Sequence, residues 1–109
     1  MDPIVPSNVA AAVEGTWRLG DSYLVTISRS GSRLHVRQQA DVRLRGRRER
    51  EAEAMYDAGS GTLQFPGIGA VHPAIVMLRP SGQGLNYAIS SEVSPGKWTQ
   101  GLWQPARRA

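Results

Sequence analysis

The chain contains no cysteine among its 109 residues. This absence excludes disulfide frameworks, zinc sites built on thiolates and thiol nucleophiles together. Histidine is almost as scarce, since only His35 and His72 occur, and a multi-histidine metal centre is not expected. We therefore predict no metal site and no bound cofactor.

Long apolar runs and a targeting signal are also missing. No stretch approaches the roughly 18 apolar residues of a membrane span, so no membrane partner is expected. The first residues, Met1-Asp2-Pro3-Ile4-Val5-Pro6, lack the basic and apolar regions of a signal peptide. The sequence therefore predicts a cytoplasmic protein, or one exported without a cleaved signal.

No catalytic motif is recognisable. Ser22 and Ser90 have no surrounding sequence typical of a nucleophile elbow. The stretch Gly67-Ile68-Gly69 opens no helix, so it is not a phosphate-binding loop. His72 lies next to this glycine-rich stretch, where a histidine is more often a polar loop residue than a general base. We therefore predict that the protein is not an enzyme.

The clearest positive signal is a hairpin pattern. Tyr23, Val25 and Ile27 share one parity, and period-two alternation of this kind is typical of a strand with one buried face. A turn containing Gly31 follows, and the alternation resumes in Arg33-Leu34-His35-Val36-Arg37. Two alternating runs around a short glycine-containing turn predict an antiparallel hairpin.

Similar short runs recur along the chain, with about eight strands expected at spacings of about 8–12 residues. We predict an all-β fold, a single antiparallel up-and-down barrel of about eight strands over residues 13–104. Residues 1–12, which two prolines interrupt, are predicted to be a flexible tail with at most one helical turn. Residues 105–109 are predicted to be a second tail. The segment 47–55 is compatible with either a strand or a helix.

The residues before the hairpin carry a family resemblance. Trp17 follows Gly15-Thr16, and a Trp at this point can fill one end of a barrel with its indole N–H bonded to a nearby carbonyl. We therefore predict that Trp17 is buried. The run Gly15 to Thr26, Gly-Thr-Trp-Arg-Leu-Gly-Asp-Ser-Tyr-Leu-Val-Thr, resembles the first hairpin of avidin and streptavidin, and more loosely the Gly-x-Trp start of lipocalins and fatty-acid-binding proteins. The resemblance extends to about Gln39 and implies a calycin-type barrel that holds a small ligand at its mouth.

The biotin contacts of the avidin pattern are not kept. That pattern has an Asn two residues after the Trp, and no Asn lies between Trp17 and Tyr23. Asp21 stands where the pattern has a Ser, although Ser22 is adjacent, and Gln38 falls near the position of a Tyr. A biotin ureido oxygen needs donors, whereas an ionised Asp21 only accepts. We therefore predict no tight biotin binding, and a preference for a ligand with a donor or a positive charge.

The resemblance and the aromatic residues on separate strands together predict non-catalytic binding of a small molecule at one end of the barrel. Aromatic lining with a few polar groups is typical of such pockets. The candidate ligand-binding residues are Asp21, Ser22, Gln38, Tyr87, Trp98 and Gln100. The alternative is a protein–protein interaction module that acts through its surface.

Positive charge is concentrated in one part of the chain. The net charge is +4, and eight of the 13 Lys and Arg residues lie between Arg29 and Arg50. Side chains of adjacent strands are expected to merge there into one outward basic patch. Its members are Arg33, Arg37, Arg43, Arg45, Arg47 and Arg48. No aromatic residue interleaves with them, so any nucleic-acid binding is expected to be weak and salt-sensitive.

Overall fold

The computed structural model describes residues 1–42, 46–68, 73–82 and 84–109, with the backbone alone at 41, 42, 46 and 47. Within these ranges the chain forms one helix and a series of strands. They are α1 (Ser7–Val13), β1 (Gly15–Arg18), β2 (Tyr23–Ser30), β3 (Arg33–Val42), β4 (Gly46–Glu53), β5 (Met55–Asp57), β6 (Thr62–Pro66), β7 (Ala74–Ser81), β8 (Gly84–Ser94), β9 (Lys97–Gln100), β10 (Gln104–Pro105) and β11 (Arg107–Arg108).

The strands form two antiparallel sheets. The first has the order β11-β1-β2-β3-β4, and the second has the order β10-β8-β7-β6-β5, with β9 also paired to β8. Most neighbours in each sheet are consecutive in sequence, which is the common outcome when short turns connect the strands. The prediction of a mainly β, antiparallel fold is confirmed. The ambiguous segment 47–55 is extended, because it belongs to β4 and the start of β5.

Two short connections carry the chain from one sheet to the other. Ala54 alone separates β4 from β5, and its N–H donates to Leu34 O at 3.0 Å. Ala106 alone separates β10 from β11, and its N–H donates to Leu85 O at 2.7 Å. Because these four strands are the outer strands of their sheets, continuous chain joins the two sheets along both sides.

The core follows from the alternation seen in the sequence. In β2, Val25 and Ile27 are buried while Thr26 and Ser28 are exposed. The same period of two buries one face of the other long strands. The core residues of β3, β6, β7 and β8 include Leu34, Val36, Leu63, Phe65, Val76, Leu78, Leu85 and Tyr87. Burial of each such side chain contributes about 1.5–3 kcal/mol relative to exposure.

Trp17 lies inside this core. Its side chain is buried, and its indole N–H donates to Val13 O at 2.8 Å. Both parts of the prediction for Trp17 are therefore confirmed. The bond matters because a buried indole N–H without an acceptor would cost about 1–3 kcal/mol.

The N-terminal residues are packed against the sheets, in contrast to the predicted flexible tail. Val5 is buried and donates its N–H to a carbonyl of the β2–β3 turn at 2.8 Å, and Asp2 pairs with Tyr56 as an isolated bridge. Helix α1 exceeds the single turn expected and buries Ala10 and Val13, which share a helical face. The prolines prevent a regular strand, but they leave neighbouring N–H groups free to pair with the rest of the fold.

The C-terminal residues also differ from the predicted second tail. Arg107 and Arg108 form β11 and pair with Arg18 and Trp17 of β1. The Arg108 guanidinium carbon lies 4.2 Å from the centroid of the Trp17 ring, a cation–π distance. The segment is ordered by a partner distant in sequence, which its own composition does not indicate.

Candidate ligand-binding site

The strand register brings two arginines to the inner face of the first sheet. Residues directly opposite each other in an antiparallel pair project from the same face. Gln38 of β3 lies opposite Val25 on one side and opposite Arg50 on the other. Gln38 and Val25 are buried, so Arg50 belongs to the inner face. Arg48 is two residues away on the same strand and therefore shares that face.

The local sequence of β4 explains this arrangement. In Arg48-Glu49-Arg50-Glu51-Ala52, the acidic residues occupy one parity and the arginines the other. Ala52 has the parity of the arginines and lies half-buried opposite the core residue Val36. Ala52 therefore belongs to the inner face of β4, and Arg50, two residues away, belongs to the same face. Arg50 is not among the site residues predicted from the sequence, although the position of Ala52 could have indicated it.

Side chains of the first sheet bond three consecutive backbone groups at the end of β6. Gln38 Nε2 donates to the carbonyl of residue 66 at 2.8 Å, and Arg50 Nη1 donates to the carbonyl of residue 67 at 3.0 Å. The N–H of residue 68 donates to the Tyr23 hydroxyl at 3.5 Å. That hydroxyl donates in turn to Gln38 Oε1. These side chains connect the sheets where, in the described part of the chain, no backbone ladder joins β4 to β6.

Burial keeps the Tyr23 hydroxyl protonated. Desolvation raises the pKa of Tyr23 from 10.0 to about 12, and the Ile68 N–H and the Arg50 charge oppose it with smaller effects. The phenol is neutral near pH 7 in any case, and the raised pKa keeps it protonated as the donor to Gln38 well into the alkaline range. Since Gln38 is fully buried, this bond satisfies a carbonyl that water does not reach.

A pocket of about 570 Å³ lies beside this network, and Arg48, Glu49, Arg50 and Ile68 line it. Its volume is within the range of small-molecule sites. Arg48 is half-buried and has neither a hydrogen bond nor an ion pair with any described residue. Arg50 is exposed and bonds one backbone carbonyl. The described lining of the pocket thus combines two guanidinium groups with the Glu49 carboxylate and one apolar side chain.

The six residues predicted to bind a ligand are not brought together. Gln38 and Tyr87 are both buried, but they belong to different clusters. Gln38 bonds Tyr23, whereas the Tyr87 hydroxyl lies 3.5 Å from Gln104 Oε1. Of the six, Gln38 alone belongs to the network beside the pocket.

The other four predicted residues are exposed, and the structure does not gather them with Gln38 at one end of the fold. Asp21 and Ser22 lie in the β1–β2 turn, and the Asp21 carboxylate lies 3.6 Å from Arg107 Nη2. A preference for a ligand with a donor or a positive charge is no longer expected, because it required Asp21 inside. Trp98, which is 44% exposed, and Gln100 belong to β9. In the described chain, β9 pairs only with the C-terminal part of β8, from Ser90 to Ser94.

The predicted basic patch is divided between two faces. On the outer face, Arg33 lies 3.7 Å from a carboxylate oxygen of Glu53. Arg37 lies 3.5 Å from a carboxylate oxygen of Glu49. Arg48 belongs to the inner face, so the described members do not form one outward patch. The remaining predicted members lie outside the described side chains: Arg43, Arg45 and Arg47.

Other chemistry is sparse in the residues that the structure describes. None of their His, Cys, Asp and Glu side chains form a group of three or more that could hold a metal ion. His72 lies outside the described residues. No helix within the described ranges combines the length and the apolar character needed to cross a membrane. Comparisons with protein-family models, curated proteins and solved structures found no match to this chain.

Proposed function

We propose that the two sheets are halves of one up-and-down barrel of about eight strands. Ala54 and Ala106 support this proposal, because each continues a strand from one sheet into the other. The continuous strands are then β1, β2, β3, β4 with β5, β6, β7, β8, and β9 to β11 taken together. The amides of Ala54 and Ala106 are expected to exchange with solvent as slowly as core amides. Fast exchange at either amide would contradict a closed barrel.

The proposed function is non-catalytic binding of a small molecule in the pocket whose described lining is Arg48, Glu49, Arg50 and Ile68. The observation that carries it is Arg48, a half-buried cation without a partner among the described residues, at the edge of a pocket of ligand size. Arginines are almost never fully buried unless they are paired, because desolvation of an unpaired charge is costly, and Arg48 has already lost part of its contact with water. A bound molecule would supply the missing partner. The Tyr23–Gln38 pair beside it holds the two sheets in position.

A fragment screen by NMR tests this function even though the ligand is unidentified. The fragments should include neutral, cationic and anionic molecules of similar size. Binding is expected to shift the amide signals of residues 48–50 and 66–68 in a saturable way. Ala40→Phe adds bulk to the inner face opposite Arg48 and is expected to abolish the shifts. Ser28→Phe, on the exposed face of β2, is the matched control. A screen in which no fragment shifts these amides would refute the function.

One observation favours protein binding as a second candidate function. Val93 and Trp98 are exposed on the β8–β9 hairpin, and Leu102 beyond it is 83% exposed. Exposed apolar side chains that form a contiguous patch are common at protein interfaces, and these three lie close together in sequence. If the partner is a second copy of this chain, the mass in sedimentation equilibrium should rise with concentration, and Trp98→Ser should restore the monomer. A monomer at all concentrations would exclude that partner.

A further inference from the structure

We infer that the ligand of this pocket carries a compact oxyanion, a carboxylate or a phosphate, which binds the guanidinium groups of Arg48 and Arg50. The inference rests on the proposed function, since it names the class of ligand for the same pocket. It follows from an imbalance of charge and of hydrogen-bonding groups around the pocket.

Among the described residues that line the pocket, the uncommitted polar groups are donors. A guanidinium has five N–H donors and no acceptor. Arg48 bonds no described residue, and Arg50 bonds one carbonyl. The Tyr23 hydroxyl already donates to Gln38 Oε1, so this side-chain acceptor beside the pocket is occupied. A ligand that matches the remaining groups must bring acceptors.

The described carboxylates of β4 do not neutralise these arginines. Glu49 borders the pocket, but its oxygens accept hydrogen bonds from Arg37 at 3.5 Å and from Gln39 at 3.2 Å. Glu51 lies near His35 on the outer face, where the charged side chains of β3 and β4 pair across the strands. The inner parity of β4 therefore retains an excess of positive charge.

The spacing of the two arginines suits a compact anion. Residues two apart on a strand project from one face with their Cα atoms about 6.5–7 Å apart, and two long side chains can converge from that distance on one group. Carboxylates and phosphates match the planar guanidinium with paired, charge-assisted hydrogen bonds. An oxyanion between the arginines also removes the repulsion between their like charges. Ile68 provides an apolar contact for the rest of the molecule.

Three probes that share a phenyl ring separate the possibilities: benzoate, phenyl phosphate and benzamide. Each is titrated at constant ionic strength while the amide signals of residues 48–50 and 66–68 are followed. Benzoate or phenyl phosphate is expected to give saturable shifts there, whereas benzamide, which is uncharged, is not. Whichever anion binds more tightly indicates a carboxylate or a phosphate as the natural head group.

Matched variants assign the binding to the inner face. Arg48→Gln is expected to weaken binding of the anion about tenfold or more, because a hydrogen bond to a charged group is worth about 1.5–3 kcal/mol. Arg33→Gln removes an equal charge from the outer face, where Arg33 lies near Glu53 and away from the pocket lining, and should leave the affinity within about twofold. Arg48→Lys keeps the charge without the planar fork, so its affinity should lie between those of the wild type and Arg48→Gln.

The inference and the proposed function fail in different ways. Benzamide that binds these amides as tightly as the anions would overturn the oxyanion and leave small-molecule binding in place. An equal loss of affinity in Arg33→Gln and Arg48→Gln would also overturn it, because it would indicate attraction by net charge alone. The absence of binding by every probe and every fragment would overturn both.

Discussion

At the scale of the single residue, Trp17 gives the most direct test of the core. Trp17→Ala is expected to lower the free energy of unfolding by about 3–5 kcal/mol, because it leaves a cavity and removes the bond to Val13 O. Trp98→Ala is the matched control, and its exposed side chain predicts a change within about 0.5 kcal/mol. Urea denaturation measures both. Equal effects of the two substitutions would show that Trp17 is peripheral.

Tyr23 makes stability depend on alkaline pH. Its pKa is raised to about 12 in the folded protein from 10.0, so folding favours the protonated phenol. This contribution is fully present below pH 10 and is lost as the pH rises through about 12. Tyr23→Phe should remove that part of the decline in the free energy of unfolding. Absorbance of the phenolate provides a second measurement, since the variant should lack the late-titrating tyrosine.

At the scale of the element, the confirmed predictions concern strands that have one apolar face and one polar face. Val25 and Ile27 alternate with hydroxyl side chains, so the buried face of β2 could be identified from the sequence. In β4 both parities carry charge, and a charged run usually indicates a solvated face. Ala52 shows which face of β4 is the inner one, but only once it is known that Ala52 lies opposite the core residue Val36 of β3.

Two kinds of residue differ from their predicted placement: residues at an exposed hairpin, and residues whose contacts are distant in sequence. Trp98 is of the first kind, because β9 pairs with the end of β8 in a local hairpin and all four side chains of β9 are exposed. The expected position of Asp21 depended on a short motif, and Arg107 of β11, which it contacts, lies beyond that motif. Local sequence could not indicate the contact with Arg107, because it depends on the register of the complete sheet.

The outer face of β3 and β4 leads to a prediction about nucleic acids. Arg33, Arg37 and His35 alternate there with glutamates of the neighbouring strand, so the wild type should bind duplex DNA weakly and lose it near physiological salt. Replacement of Glu49, Glu51 and Glu53 by Gln should strengthen binding at low salt, because it exposes unneutralised cations. Fluorescence anisotropy across a salt series measures this effect. Sequence-selective binding that survives physiological salt would contradict it.

At the scale of the whole molecule, the protein is expected to bind biotin weakly at most. The first turn lacks the Asn of the avidin pattern, and Asp21 is exposed beside Arg107. The carboxylate of biotin can accept hydrogen bonds from Arg48 and Arg50, and once these donors are occupied the ureido oxygen is left without a donor among the described residues of the site. Calorimetry should therefore give a dissociation constant no tighter than the micromolar range, about −8 kcal/mol. A nanomolar constant would refute this prediction.

The pairing of β11 with β1 has a consequence for biosynthesis. Arg107 and Arg108 lie beside Trp17, and Ala109 donates its N–H to Thr16 O at 3.0 Å. On the ribosome β1 is synthesised long before β11. Until β11 is present, one edge of β1 has unpaired backbone N–H and C=O groups, which can pair with other chains. Contacts between residues so far apart in sequence also form slowly. The nascent chain therefore passes through a vulnerable interval that ends when β11 has left the ribosome, and a chaperone that shields strand edges would act in that interval.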